Sequence, residues 1–337
     1  MKAQVLYRPG EPEQFSYQEW PKPEPGPGEV LVRLHATSVN PADCKMRRSG
    51  SALAPDLPAV LGADLAGEVV ALGAGVSGFA LGDAVFGCAG GVRGMHGSYA
   101  EYIAADARLL APCPRRLSPR QAAALPLAGI TAYEGLIDRA RLAPGQRVLV
   151  YGASGGVGHL AVQIAKACGA HVTAAISTPS KASLVLSLGA DEVVLYREES
   201  PEQAAQRLTD GLGFDLVFDT LGGDNLNVAI QAARPQGQVV TLVARQSYDL
   251  GGAFAKGLSI HILFMLIPML HDLGRARHGE ILGELARLAD DGLITPLVDP
   301  QRFALAELAA AHRHLESGAA LGKVVVDILD AEARPQS

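Results

Sequence analysis

Residues 148–158 read Val-Leu-Val-Tyr-Gly-Ala-Ser-Gly-Gly-Val-Gly. A run of strand formers enters a glycine-rich turn, and helix formers follow from Gly158. Ala153-x-Gly155-x-x-Gly158 is a dinucleotide fingerprint with alanine in first place, and its context of strand before and helix after is the one such a site needs. Gly155 lets the backbone approach a pyrophosphate, and Gly158 lets helix and strand pack closely. The free N–H groups and positive dipole end of the helix suit phosphate. A tight strand–helix turn with no ligand is the plain alternative. Against it stands the series around the motif. Strands predicted over 147–151, 171–176, 192–195, 214–219 and 238–243 alternate with helices predicted over 158–168, 181–188, 201–210 and 225–233. That alternation predicts a doubly wound parallel sheet.

The end of the next strand selects the nucleotide. An NAD site places Asp or Glu there to bind the ribose 2′-hydroxyl. Here residues 175–181 read Ala-Ile-Ser-Thr-Pro-Ser-Lys, with no acid. Ser177 and Thr178 offer hydrogen bonds and Lys181 a charge, which suits a 2′-phosphate and so NADP(H). An ordinary solvated lysine is the alternative for Lys181.

The first 124 residues have another rhythm. Short apolar runs at 3–7, 29–36, 65–71, 83–86 and 99–103 are separated by Gly and Pro, as in Pro-Glu-Pro-Gly-Pro-Gly at 23–28. Many short strands at this spacing predict an all-β, barrel-like unit. After about residue 265, helices are predicted over 279–290 and 306–317 and a strand over 323–328, and the last ten residues read as frayed. With 337 residues, 48% apolar and 19% charged, two folded domains are expected. The net charge of −6 argues against a grip on nucleic acid. The longest apolar run, 258–270, is about half a membrane span and is broken by His261 and Pro268. Four scattered cysteines, and an N-terminus without a signal-peptide core, suit a reduced cytoplasm.

Segments along almost the whole chain resemble one family: residues 38–43 (Ser-Val-Asn-Pro-Ala-Asp), 57–64 (Leu-Pro-Ala-Val-Leu-Gly-Ala-Asp), 97–102, 125–133, the glycine-rich turn, 188–191, 218–223 (Phe-Asp-Thr-Leu-Gly-Gly) and 322–325. They are similar to the medium-chain dehydrogenase/reductase superfamily, in its zinc-independent, zeta-crystallin-like quinone oxidoreductase branch. The resemblance implies an α/β protein with a GroES-like β-rich catalytic domain at 1–124, completed by 266–337. A Rossmann domain with a doubly wound parallel sheet is implied at 125–265. It places Asn40 and Thr131 near the nicotinamide and its ribose, and the pyrophosphate on the turn at Ala153, Ser154, Gly155, Gly156, Val157 and Gly158. Ser177 and Lys181 take the 2′-phosphate and Tyr196 packs by the adenosine, although a plain core or rim tyrosine fits that position too. Val243, Phe264 and Lys323 are further cofactor contacts.

Zinc enzymes of the superfamily have Cys where this chain has Asn40, and Gly-His-Glu where it has Gly62-Ala63-Asp64. A catalytic zinc takes three Cys, His or carboxylate ligands, so no metal is expected. Without one, reduction by NADPH is favoured over alcohol oxidation. Asn40 is the first candidate for fixing cofactor or substrate geometry, with a turn role before Pro41 as the alternative. Asp43 orients its loop, a water or a structural hydrogen bond. The loop 44–53 lacks the tyrosine that many relatives carry, which leaves Tyr99 and Tyr133 as proton donors or packing. Arg47 and Arg48 read as solvated loop charges, or as contacts for an anionic group. The expected activity is hydride transfer to a quinone. The alternative is reduction of an activated C=C bond in an enone, haloacrylate or enoyl thioester. The run 259–269 matches the family's last Rossmann strand, and an uncovered edge there predicts a homodimer. An internal, covered strand is the alternative.

Overall fold

The computed structural model describes residues 1–329; residues 330–337, where most of the expected frayed tail falls, lie outside the described residues. The chain divides into two compact units, Met1–Leu127 with the residues from Leu266 onward, and Ala128–Met265.

In the second unit six strands form one parallel sheet. Their order is Glu192–Leu195, His171–Ile176, Arg147–Tyr151, Phe214–Asp219, Ala233–Thr241, Ser259–Ile262. Successive strands step outward on one side of Arg147–Tyr151 and later ones on the other, so the order reverses beside the glycine-rich turn, where open α/β sheets bind ligands. Successive strand residues point to opposite faces, yet Val148, Leu149 and Val150 all have no exposed surface. Both faces are therefore covered, which explains an unbroken apolar run. Each such side chain contributes about 1.5–3 kcal/mol of burial, offset by ordering entropy. Local signals set the helix starts. Pro201–Thr209 begins at Ser200, whose Oγ accepts the Gln203 N–H at 3.2 Å while Gln203 Oε1 accepts the Ser200 N–H at 2.8 Å.

Several boundaries differ from expectation. The helix expected over 181–188 is Ala182–Ser187, preceded by a 3-10 turn at Pro179–Lys181. The strand expected over 238–243 runs Ala233–Thr241, with a register shift where Gln236 adopts φ 59°. The apolar run 259–269 is a short strand, Ser259–Ile262, and then a helix, Ile267–His271. Pro268 cannot donate to a sheet ladder and suits the first turn of that helix.

The first unit is β-rich. Strands Phe303–Ala304, Val324–Asp327, Glu29–Val39, Asp64–Leu72, Ala84–Cys88 and Leu110–Pro112 are neighbours in that order, and Tyr102–Asp106 also pairs with Glu29–Val39. A second sheet holds Phe15–Glu19, Lys2–Leu6 and Ala59–Val60. Val324–Asp327 runs antiparallel to Glu29–Val39 with Val324 opposite Val39. That register brings Lys323 beside Asn40, 283 positions away in sequence. The fold class is the expected one, α/β with a GroES-like β-rich unit and a Rossmann-like parallel-sheet unit.

Candidate functional site

In the second unit the turn after Arg147–Tyr151 is set by Gly152, at φ 69°. Its carbonyl accepts the Gly155 N–H at 2.9 Å. A Cβ at Gly158 would stand 2.1 Å from Gly152 O and 2.8 Å from Ala153 Cα. Only glycine fits there, because both neighbours are backbone. A Cβ at Gly155 would meet only Gly152 O, at 3.2 Å, so that face of the turn is open. Ala153 and Ser154 are buried beneath it, Gly155 is exposed, and Gly156 and Val157 are half-buried. Among the described residues no main-chain bond takes up the N–H groups of Gly156, Val157 or Gly158, which open the helix Gly158–Ala167. Orphan N–H groups at a helix start are a ready anion site. The sequence pattern puts Ala153 first and passes over Gly152. The left-handed turn residue lies one position earlier, and the Gly after Tyr151 was its only signal.

The other positions expected at the cofactor follow the carboxyl ends of neighbouring strands. Ser177 directly follows His171–Ile176, and Lys181 closes the 3-10 turn beyond it, with no ion-pair partner among the described residues. Tyr196 donates its N–H to Ile176 O at 3.2 Å, and its ring lies 6.1 Å from that of Tyr151. Val243 follows Ala233–Thr241, and its carbonyl accepts the Gly223 N–H at 3.1 Å. Phe264 follows Ser259–Ile262 and is exposed. One sheet edge thus gathers the turn, Ser177, Tyr196, Val243 and Phe264. Asp219, which sequence reasoning did not single out, shapes this edge. Its Oδ1 accepts the Leu221 and Gly222 N–H groups, both at 3.0 Å, and its Oδ2 accepts the Thr241 hydroxyl at 2.9 Å. Thr131 is buried on the helix Pro126–Tyr133.

The first unit carries a second group. Asp64 is fully buried and accepts four hydrogen bonds: Ser38 Oγ at 2.6 Å, Asn40 Nδ2 at 2.9 Å and Lys323 Nζ at 3.1 Å to Oδ2, and the Leu127 N–H at 2.7 Å to Oδ1. Lys323 Nζ also donates to Asn40 Oδ1. Lys323 is therefore joined to Asn40 and Asp64 within the first unit. Ala63 is buried and supplies only a methyl group. Among the described residues no three His, Cys, Asp or Glu side chains gather as a metal site.

Asp43 lies at the start of the helix Pro41–Ser49, where its Oδ2 accepts the Asn40 N–H at 2.8 Å. Its Oδ1 is buried with no hydrogen-bond partner among the described residues. Burial pushes its pKa up to about 7, although the Asn40 N–H acts against that. The folded state therefore holds this proton more tightly than the unfolded chain. The resulting stabilisation is complete below the ordinary value of 3.8 and is lost as pH rises through about 7. His278, pushed down to about 4, and His312, pushed down to about 3, act in the opposite sense, because each resists the charge it would gain when unfolded. The difference between wild type and Asp43→Asn isolates the carboxyl. Chemical denaturation from pH 5 to 8 should show the variant gaining on wild type, by about 2.5 kcal/mol. A difference that does not change with pH would remove this account of Asp43.

Two expectations for this unit need correction or sharpening. Arg47 is not a solvated loop charge. It is fully buried, donating to both carboxylate oxygens of Glu316 at 3.0 and 3.1 Å and to Gly10 O at 3.0 Å. Arg48 is exposed and also reaches Glu316, at 2.7 Å. Tyr99 is core. Its ring packs edge-on against Phe15 at 6.0 Å and His312 at 5.6 Å, and burial and the Asp43 charge raise its pKa well above the usual range.

Comparison with known proteins follows the same lines. The family described as alcohol dehydrogenase GroES-like domain matches residues 26–115, and the family described as zinc-binding dehydrogenase matches residues 188–326. A 2-methylene-furan-3-one reductase of Solanum lycopersicum is 36% identical over 307 residues, covering 88% of this chain and 71% of that protein. A quinone oxidoreductase of Pseudomonas aeruginosa is 34% identical over 321 residues, covering 94% and 96%. The crystal structure of Escherichia coli quinone oxidoreductase complexed with NADPH superposes with a TM-score of 0.87 at 29% identity, covering 97% of this chain and all of that one.

Proposed function

Because the chain belongs to the quinone oxidoreductase-like branch of the medium-chain dehydrogenase/reductase superfamily and is an NADPH-dependent oxidoreductase, we propose that it passes hydride to a quinone without zinc. The observation that carries the metal-free reading is the Lys323 ammonium, 4% exposed, held by Asn40 Oδ1 and the Asp64 carboxylate. Zinc relatives carry ligands at the positions of Asn40 and Ala63. Here the first is an amide and the second a methyl group, and a cation is already supplied covalently beside the amide.

The residues present fit NADP(H). The Gly156, Val157 and Gly158 N–H groups would hold the pyrophosphate over the turn that Ala153, Ser154 and Gly155 form. Ser177 and Lys181 would hold the 2′-phosphate, Tyr196 would flank the adenosine, and Val243 and Phe264 would add contacts along the edge. When bound, the cofactor supplies the hydride. The chain must hold the acceptor, exclude water and donate hydrogen bonds to the oxygen that gains charge. Asn40 and Thr131 are the proposed residues at the nicotinamide end, and Asp43 holds the Asn40 backbone.

Lys181→Glu tests the 2′-phosphate assignment. The KM for NADPH should rise on the order of tenfold or more, since a charge-assisted hydrogen bond is lost and repulsion added. The KM for NADH should not rise. An equal rise for both cofactors would contradict the assignment. Parallel NADPH-oxidation assays with 1,4-quinones and with enones test the acceptor. Similarity to the furanone reductase favours the second reading, reduction of an activated C=C bond, and a preference for enones above about tenfold would establish it.

A homodimer completes the proposal. Ser259–Ile262 is the edge strand of its sheet, Ile262 on it is 65% exposed, and Phe254 shortly before it is 90% exposed. An apolar edge of this kind calls for a cover. Sedimentation should give twice the chain mass. No helix among the described residues is long and apolar enough to cross a membrane. The proposed setting is the cytoplasm, with a small-molecule substrate and no nucleic acid.

A further inference from the structure

A side-chain amide offers two donors and two acceptor lone pairs, and which end faces which neighbour decides what it can bind. For Asn40 the neighbours leave one answer. Lys323 Nζ donates to Oδ1, and Nδ2 donates to Asp64 Oδ2 at 2.9 Å. An ammonium only donates and a carboxylate only accepts. A flipped amide would set N–H against ammonium and C=O against carboxylate, and all three side chains are almost wholly buried, where mispaired polar groups are costly. Both orienting groups are fixed in turn. Asp64 is held by Ser38 Oγ at 2.6 Å and the Leu127 N–H at 2.7 Å, and Lys323 directly precedes Val324, whose register is set opposite Val39.

We infer that Asp64 and Lys323 are positioning residues for hydride transfer: they lock the Asn40 amide so that its second Nδ2 hydrogen is offered to a carbonyl oxygen of the reacting pair. No partner among the described residues takes that hydrogen. A single fixed donor selects an acceptor oxygen, and it binds best to one that gains negative charge as the hydride arrives. The substrate carbonyl carries such an oxygen; the nicotinamide carboxamide oxygen also accepts a hydrogen bond but loses charge as the hydride departs, so a bond to it would hold the cofactor rather than favour the transition state. The inference rests on the proposed NADPH-dependent reduction and adds to it the group that orients its amide.

A double-mutant cycle tests it: wild type, Asn40→Ala, Lys323→Met and the double variant. Each is assayed for kcat and KM with NADPH and 1,4-benzoquinone or 2-cyclohexenone, for NADPH dissociation by fluorescence, and for Tm. Lys323→Met should slow turnover or weaken NADPH binding on the order of tenfold when Asn40 is present, and by less than about twofold when it is alanine. Lys323→Arg, which keeps a cationic donor, should recover part of the loss. A loss in NADPH affinity assigns the oxygen to the carboxamide; a loss in kcat at unchanged NADPH affinity assigns it to the substrate. Should the methionine variant not fold, Lys323→Gln replaces it in the cycle with the same expectations. Equal losses with and without Asn40, or a lowered Tm with unchanged kinetics, would overturn the inference. A wild-type protein that oxidises NADPH with neither acceptor would instead overturn the proposed function.

Discussion

Asp64→Ala should cost about 3–5 kcal/mol of folding stability, the range for breaking a buried ion pair from one side. Four donors converge on this carboxylate. Its removal leaves the Lys323 ammonium, 4% exposed, with Asn40 Oδ1 alone, and deprives Ser38 and the Leu127 N–H of their acceptor. The charge dominates, because an uncompensated buried ion is more costly than an unmade neutral hydrogen bond. The double variant Asp64→Ala, Lys323→Met should therefore be more stable than Asp64→Ala alone, although it carries one more change. Chemical denaturation of the three proteins at one pH decides it. Wild-type-like stability of Asp64→Ala, or a double variant weaker than the single one, would contradict the geometry described for this centre.

Gly158→Val should weaken NADPH binding by at least about tenfold and lower stability by about 1–3 kcal/mol, the usual cost of overpacking. A Cβ at Gly158 meets the Gly152 carbonyl at 2.1 Å, so the turn must open. Opening it moves the N–H groups of 156–158 away from the phosphate position, and binding suffers beyond what stability alone loses. Gly155→Ala provides the contrast. Its Cβ has a single neighbour within the chain, the Gly152 carbonyl at 3.2 Å, which has to give only slightly, so the stability cost should be smaller than for Gly158→Val while a ligand pressed against the turn is pushed away. Titration calorimetry with NADPH and thermal denaturation of both variants separate the two roles. Undiminished NADPH binding by Gly158→Val would remove the turn from the cofactor site.

The second unit was largely legible in the sequence because its signals are local. An apolar run such as Val148-Leu149-Val150 reports burial on both faces, and the glycine-rich turn reports a strand–helix junction. The residue that makes the turn left-handed was not legible, since a fingerprint beginning at Ala153 hides Gly152. The centre in the first unit was least legible. Lys323 lies 259 positions from Asp64 and 283 from Asn40, and only the pairing of Val324 with Val39 joins them. In sequence Lys323 is one lysine before a strand, and nothing local points to Asn40 or Asp64. The partner of Arg47 is hidden in the same way. Met46-Arg47-Arg48-Ser49 reads as a solvated surface, and Glu316, the partner of the buried Arg47, is 269 positions away. Periodicity reports which face of an element is buried; it says nothing about which distant side chain meets it.

Hydride transfer from NADPH with a covalent cation in place of a metal is the claim on which the rest depends. The direct measurement is NADPH oxidation with 1,4-benzoquinone by protein dialysed against a zinc chelator, with its metal content determined on the same sample. Undiminished turnover in metal-free protein is the predicted result. Turnover that disappears on chelation and returns with added zinc would contradict it.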